Sequence, residues 1–235
     1  MTLLITALLC GGSAALIYSG TASRQISNML ISMACYIVMA VSLNLVVGLL
    51  GELSLGHAGF MSVGLFTGCL LSIQLAQSVP IGVRMPLSML LGGVAAAVVG
   101  LLVGLPALRL KGDYLAIITL GFGMIIVNLI NNLPFCGQQG LSQGSASSSL
   151  YATGLGFSND EKMQYLWVAA LAIIICMTCM FMFVRSKYGR CIRAIRDNEI
   201  AASASGINVS YYKMLTFTIS AFFAGITGAL YACSN

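Results

Sequence analysis

The stretch Gly51–Phe60, GELSLGHAGF, holds the only histidine of the chain, one of its six acidic residues and three glycines. It lies between the apolar run Ile26–Leu50 and an apolar continuation that reaches Ala76. Each flank has about the 20 residues that a helix needs to cross a hydrocarbon core. The stretch therefore reads as a break between or within membrane helices, and the remaining sequence has to be consistent with that solvent.

The composition agrees. Of 235 residues, 59% are hydrophobic and only 7% are charged, whereas soluble domains carry about 25% charged residues. In lipid every backbone polar group must be satisfied within a helix or a closed barrel. Long apolar runs, rather than ten-residue alternating strands, decide for an all-α polytopic membrane protein. Seven apolar segments are expected: Leu3–Tyr18, Ile26–Leu50, Leu53–Ala76, Pro86–Pro106, Asp113–Leu133, Tyr165–Val184 and Tyr211–Ala232. One of them is re-entrant or broken near 51–60. Pro86 suits a first helical turn, and Pro106 and Pro134 suit helix ends. No Lys or Arg precedes Arg24, so the basic start of a secretory signal is missing and the first run is expected to stay as a membrane helix.

Cys10, Cys35, Cys69, Cys176 and Cys179 lie within apolar runs and read as small packing residues. Cys176 and Cys179 have no second pair or histidine nearby in sequence to complete a zinc site, so no metal is expected. The chain has no GxxxxGK[ST] phosphate loop and no basic patch interleaved with aromatics. It is thus expected neither to hydrolyse a nucleotide itself nor to bind nucleic acid.

Basic residues set the orientation. Arg185, Lys187, Arg190, Arg193, Arg196 and Lys213 are six of the eleven in the chain, and Arg109 and Lys111 lie two crossings earlier. Segments 185–213 and 107–112 are therefore expected to be cytoplasmic, and the Gly- and Ser-rich loop 135–164 external. The N-terminal half fits two arrangements equally well. If Leu53–Ala76 crosses, Arg24 and Arg84 are external; if it is re-entrant, Arg24 moves inside.

Within 185–210, Ile192, Ile195, Glu199 and Ala202 follow one helical face. Gly206 is placed to end that helix in the left-handed conformation, and Ser210 to cap the next one. A basic helix resting on anionic lipid and a plug inserting into a partner protein both fit, and the small residues Ala201–Gly206 favour close backbone approach to a partner. Small residues four apart, Gly64 and Gly68, Gly100 and Gly104, and Ala221, Gly225 and Ala229, predict tight helix contacts.

Several readings compete for GELSLGHAGF. A Ser54–His57 catalytic dyad lacks a third group, and a proton relay through Glu52 and His57 lacks ionisable partners in other spans. A tight turn between two crossing helices is a plain alternative. The fourth reading is a helix interruption lining a polar pathway, with Ser54, Gly56 and His57 along it, because glycine-broken apolar segments point to transport sites.

With these residues assembled, the chain resembles the permease of branched-chain amino acid ABC transporters, the M-type subunit of that family. The likeness rests on SLNLVVGLLGELSLGHAGF, LRLKGDYLAIITLGFGMIIVNLINN and YGRCIRAIRDNEIAASASGINVSYYKMLTFTISAFFAGITGALYA, in that order. It implies a single transmembrane permease domain over 1–235 in the bacterial inner membrane, one that normally continues beyond this C-terminus. A second permease subunit, two ATP-binding subunits and an external solute-binding protein would complete the importer. ATP would be handled on the partners, so no cofactor and no enzymatic activity belong to this chain. The coupling helix that docks on the ATPase corresponds to Arg196, Asp197, Glu199, Ala201, Ala202 and Gly206. Family substrates are leucine, isoleucine and valine, with related neutral solutes in some systems. The alternative is a stand-alone secondary transporter or channel for small neutral solutes. Family members usually carry Thr-Gly-Gly where this chain has Cys136-Gly137-Gln138.

Overall fold

In the computed structural model the described residues are 24–75, 81–107, 113–132 and 159–234, and all regular structure among them is helical. Helix α1, Arg24–Asn44, runs on into a π-helical turn, Leu45–Leu50; α2 is His57–Leu75, α3 Ile81–Ala107 and α4 Asp113–Asn132. Then follow α5, Asn159–Arg185, α6, Lys187–Asp197, α7, Glu199–Ala204, and α8, Val209–Ser234. The expected segment Leu3–Tyr18, the pair Arg109 and Lys111, and loop 135–164 up to residue 158 lie outside the described residues.

Two of these helices, α3 and α8, are long and apolar enough to cross a membrane unaided, and the bent pair α5–α6 makes a third if taken as one span. Shorter apolar helices occupy Cys35–Leu50, His57–Ser72 and Tyr114–Leu129. Seven is thus a count of apolar segments in the sequence and not of helices that meet this test. Large apolar side chains are nonetheless left outward on almost every long helix, among them Leu102 at 62% exposure and Ile117 at 64%. Surfaces of that kind belong against lipid or protein, not water.

The centre of the bundle is α2, α3 and α8, brought together by small residues. A Cβ added to Gly64 would overlap the backbone of Gly225, and one on Gly92 would stand 2.8 Å from the Gly64 carbonyl. Gly68 faces Ala229, and Gly100 faces the Cβ of Ala221. The four-residue spacing of Gly64 and Gly68 and of Ala221, Gly225 and Ala229 is therefore used as expected, because backbones this close maximise dispersion contacts without any hydrophobic drive from lipid. Phe60 and Phe217 fill the layer beneath with rings edge to face at 5.5 Å.

Helix α1 joins α8 through a reciprocal pair of hydrogen bonds. Ser42 Oγ donates to the Ser220 carbonyl at 2.7 Å, and Ser220 Oγ donates to the Ser42 carbonyl at 2.8 Å. Helix α3 begins one turn before the expected Pro86, which is its sixth residue, so the Gly82 carbonyl loses its normal i+4 donor.

Helix α2 runs antiparallel to α3, with Gly64 at Gly92 and Gly68 at Ser88. This antiparallel register is the one that a crossing Leu53–Ala76 segment would require. The end of α1, the start of α2, the end of α5, the start of α8 and both short helices then share one end of the bundle, the basic end. Arg84 lies at the other.

Candidate functional site

At the basic end α5 and α6 meet at an angle of 63°. Ser186 makes the corner: its extended ψ of 176° ends α5, and its hydroxyl accepts from the Gly189 N–H at 3.4 Å as the cap of α6. The same hydroxyl donates to the Phe183 carbonyl at 2.6 Å, and Arg193 donates to the Val184 carbonyl at 2.8 Å. The Phe183 carbonyl also accepts from the Ser186 N–H at 3.1 Å, and the Val184 carbonyl, at the negative end of α5, is satisfied by a cation.

The apolar face expected on 185–210 exists but is cut in two. Asn198, with φ −159° and ψ 107°, separates α6 from α7, and its Oδ1 accepts from the N–H groups of Ile200 and Ala201, both at 3.0 Å. Ile192, Ile195 and Ala202 are buried and pack with Leu49 and Leu50. The apolar face of α6 is therefore spent on the protein's own interior and is not available for lipid. Gly206 takes φ +83°, the left-handed conformation expected of it. The cap of α8 is Asn208, whose Oδ1 accepts from the Tyr211 N–H at 3.2 Å, and not Ser210, which lies inside the helix. Sequence reasoning missed Ile200: it is 83% exposed, a bare apolar side chain on α7 beside the exposed Ala201 and Ser203.

This short-helix unit is fastened to the break between α1 and α2. Arg196 donates to the Gly48 carbonyl, freed where the π-helical turn ends. Gly51 then takes φ +82° with the Arg196 side chain lying over it. A residue with a Cβ is disfavoured there on both counts. Lys213 of α8 closes the fastening: its Nζ lies 2.6 Å from Glu52 Oε1 and 3.3 Å from Glu199 Oε2. The lysine side chain is 9% exposed, Glu52 16% and Glu199 42%, so the cation sits largely out of water between two carboxylates. The second oxygen of Glu52 is buried without a partner. Around this cluster opens a hollow of about 1320 Å³, lined among others by Glu52, Arg196, Asp197, Glu199, Ile200 and Lys213.

Of the coupling residues expected from sequence, Arg196, Asp197, Ala201 and Gly206 are exposed, Glu199 is half-buried and Ala202 faces inward. Ser54, Gly56 and His57 lie deeper and all three are buried. His57 Nε2 is 3.2 Å from Ser42 Oγ, and its ring stands edge-on to Phe60. Ser54 Oγ has no hydrogen-bond partner. Gly56 lies against the Thr119 backbone and Gly59 against Gly123, while the Leu55 N–H donates to Thr119 Oγ1 at 3.1 Å. The break is thus pressed onto α4.

Residues 25–235 match the family described as "Branched-chain amino acid transport system / permease component". The chain belongs to this family. The permease is 35% identical over 217 residues to the high-affinity branched-chain amino acid transport system permease protein LivM of Escherichia coli (strain K12), covering 84% of this chain and 50% of that protein. It is 26% identical over 197 residues to the guanosine ABC transporter permease protein NupQ of Bacillus subtilis (strain 168), covering 77% and 59%. It is 25% identical over 208 residues to the ribose import permease protein RbsC of Haemophilus influenzae, covering 88% and 60%. The permease thus spans about half to three-fifths of the length of these relatives. No solved structure gives a significant match.

Proposed function

We propose that this chain is the membrane-spanning permease of an ATP-driven importer for branched-chain or related neutral amino acids, set in the bacterial inner membrane with its basic end in the cytoplasm. It forms half of a translocation path with a second permease subunit, receives solute from an external binding protein and takes its energy from two separate ATP-binding subunits. The substrate class follows the LivM likeness at 35% identity, above the guanosine and ribose permeases at 26% and 25%.

One observation carries the coupling role: the exposed α7 follows, across the single residue Asn198, on the helix whose Arg196 holds the backbone at the break between α1 and α2. A force on Ile200 and Ala201 is transmitted through α6 to Gly48 and Gly51, and through Glu199 to Lys213 and Glu52. Ser54, Gly56 and His57, packed shut against Thr119 and Ser42, are then the inner gate of the path in its closed state. The polar groups held there unpaired or weakly paired become its lining when the break moves.

The complete transporter with its ATP-binding subunits, reconstituted in liposomes, is the test. Leucine uptake is expected to require ATP, and Ile200→Asp is expected to lower ATPase co-purification at least tenfold while membrane insertion is kept. Uptake by the full-length permease without any ATPase would favour the stand-alone transporter instead. Undiminished ATPase binding by the Asp variant would remove α7 from the interface.

A further inference from the structure

The end of the bundle opposite the latch that Arg196, Lys213, Glu52 and Glu199 form contains a buried cation. Arg84 on α3 is 4% exposed, and its Nε has no hydrogen-bond partner. Ser72 on α2 is 2% exposed, and its hydroxyl is likewise without one. The antiparallel register of α2 and α3, with Gly64 at Gly92 and Gly68 at Ser88, puts Ser72 opposite Arg84 one turn further out. Two orphaned donors therefore share one level of the interior.

Nothing on the three central helices balances the charge, since α2, α3 and α8 contain no Asp or Glu. The core on this side, Met85, Met89, Cys35 and Ile173, is apolar. Glu52, Asp113, Asp197 and Glu199 are at the basic end, while Asp160 and Glu161 stand in the first turn of α5. A guanidinium on a 4% exposed residue, with its Nε shut off from water and from any partner, opposes folding, and a methionine would fill the same space without that cost. Such a group persists where it meets an anion for part of its working cycle.

We propose that Arg84 and Ser72 form a carboxylate site in the outer half of the path, where the entering amino acid is held by its α-carboxylate. This rests on the amino-acid reading above. The planar guanidinium offers two parallel N–H donors that match a carboxylate, and the Ser72 hydroxyl supplies a third. A ribose or guanosine carries no carboxylate, so the site also separates an amino-acid carrier from those transport classes by chemistry.

The test uses the complete transporter, with leucine as the probe, and two readouts. Arg84→Met is expected to reduce leucine uptake at least tenfold at wild-type membrane abundance. It should leave the thermal midpoint of the solute-free complex unchanged or raised, because it removes an unpaired buried charge. Arg84→Lys is expected to restore part of the uptake, and Ser72→Ala to raise KM threefold or more with an unchanged midpoint. A lowered midpoint, or loss of the Met variant from the membrane, would show that the charge is paired within the protein, Asp160 and Glu161 included, and would overturn the proposal. Leucine uptake within twofold of wild type would overturn it as well, with the amino-acid reading intact. If the wild-type complex moves no neutral amino acid, that reading fails and takes this inference with it.

Discussion

Lys213 is the residue on which the two halves of the candidate site depend. Its ammonium lies between Glu52 and Glu199, so removing it leaves the largely buried Glu52 without its cation and facing the more open Glu199. Lys213→Met is expected to destabilise the protein by about 3 kcal/mol, the range for breaking a buried pair from one side. Adding Glu52→Gln should recover part of the loss, and thermal midpoints of the four proteins of a double-mutant cycle measure the coupling. Additive losses would mean that the pair is not an energetic unit. The sequence made Glu52 conspicuous, as a carboxylate at the edge of an apolar run, but it gave no reason to join it to Lys213. A lone lysine at the start of a helix counts toward orientation, and its partner is settled only by how α8 packs beside the break.

At the scale of elements, the glycines of GELSLGHAGF divide into two kinds. Gly51 alone has a positive φ; Gly56 and Gly59 are there because the backbone of α4 passes against them. Sequence reasoning treated all three as helix relaxers, since spacing reveals that a side chain is missing but not what occupies its place. Gly56→Ala forces a methyl against the Thr119 backbone, which cannot move aside as a side chain would. The expected loss is about 3 kcal/mol, at the upper end for overpacking. Gly206→Val meets open space, so only the left-handed φ penalises it, by about 1–2 kcal/mol. Thermal unfolding of both variants in one detergent tests the contrast, and an equal loss would contradict it. The helix ends were legible in part: Gly206 announced itself, and Asn198 satisfies the same capping rule that had been applied to Ser210. The continuous apolar face concealed it, because burial of Ile192, Ile195 and Ala202 survives the kink.

For the whole molecule, apolar segments and basic residues were enough to read an all-helical membrane chain and to set an expected orientation for its second half. They left the first half open because charge alone balanced both arrangements; the antiparallel register of α2 on α3 is what a crossing α2 would require. With α2 crossing, Val83 and Ser203, both exposed, are expected on opposite sides of the membrane. In a cysteine-free background, a membrane-impermeant maleimide applied to intact cells is expected to label Val83→Cys and to spare Ser203→Cys. Labelling of both from outside would refute the crossing of α2. The buried arginine at the outer end carried no sequence signal beyond its charge, since an arginine two residues ahead of the expected segment Pro86–Pro106 reads as an anchor at the membrane surface.

The π-helical turn Leu45–Leu50 also gives the molecule a screw. A π turn holds a residue more than the α-helical ladder it interrupts. Rewinding that one turn rotates the residues that follow it directly by about 100° relative to the rest of α1, and the non-helical residues 51–56 can absorb the twist before α2 begins. Gly51 and Glu52 are the residues beyond it. A switch of hydrogen-bond partners over six residues would thus turn Glu52 away from Lys213 and lift Gly48 from Arg196, while the serine pair that binds α1 to α8 stays closed. The latch can be opened by torsion at one point, with the glycine-packed bundle behind it standing still.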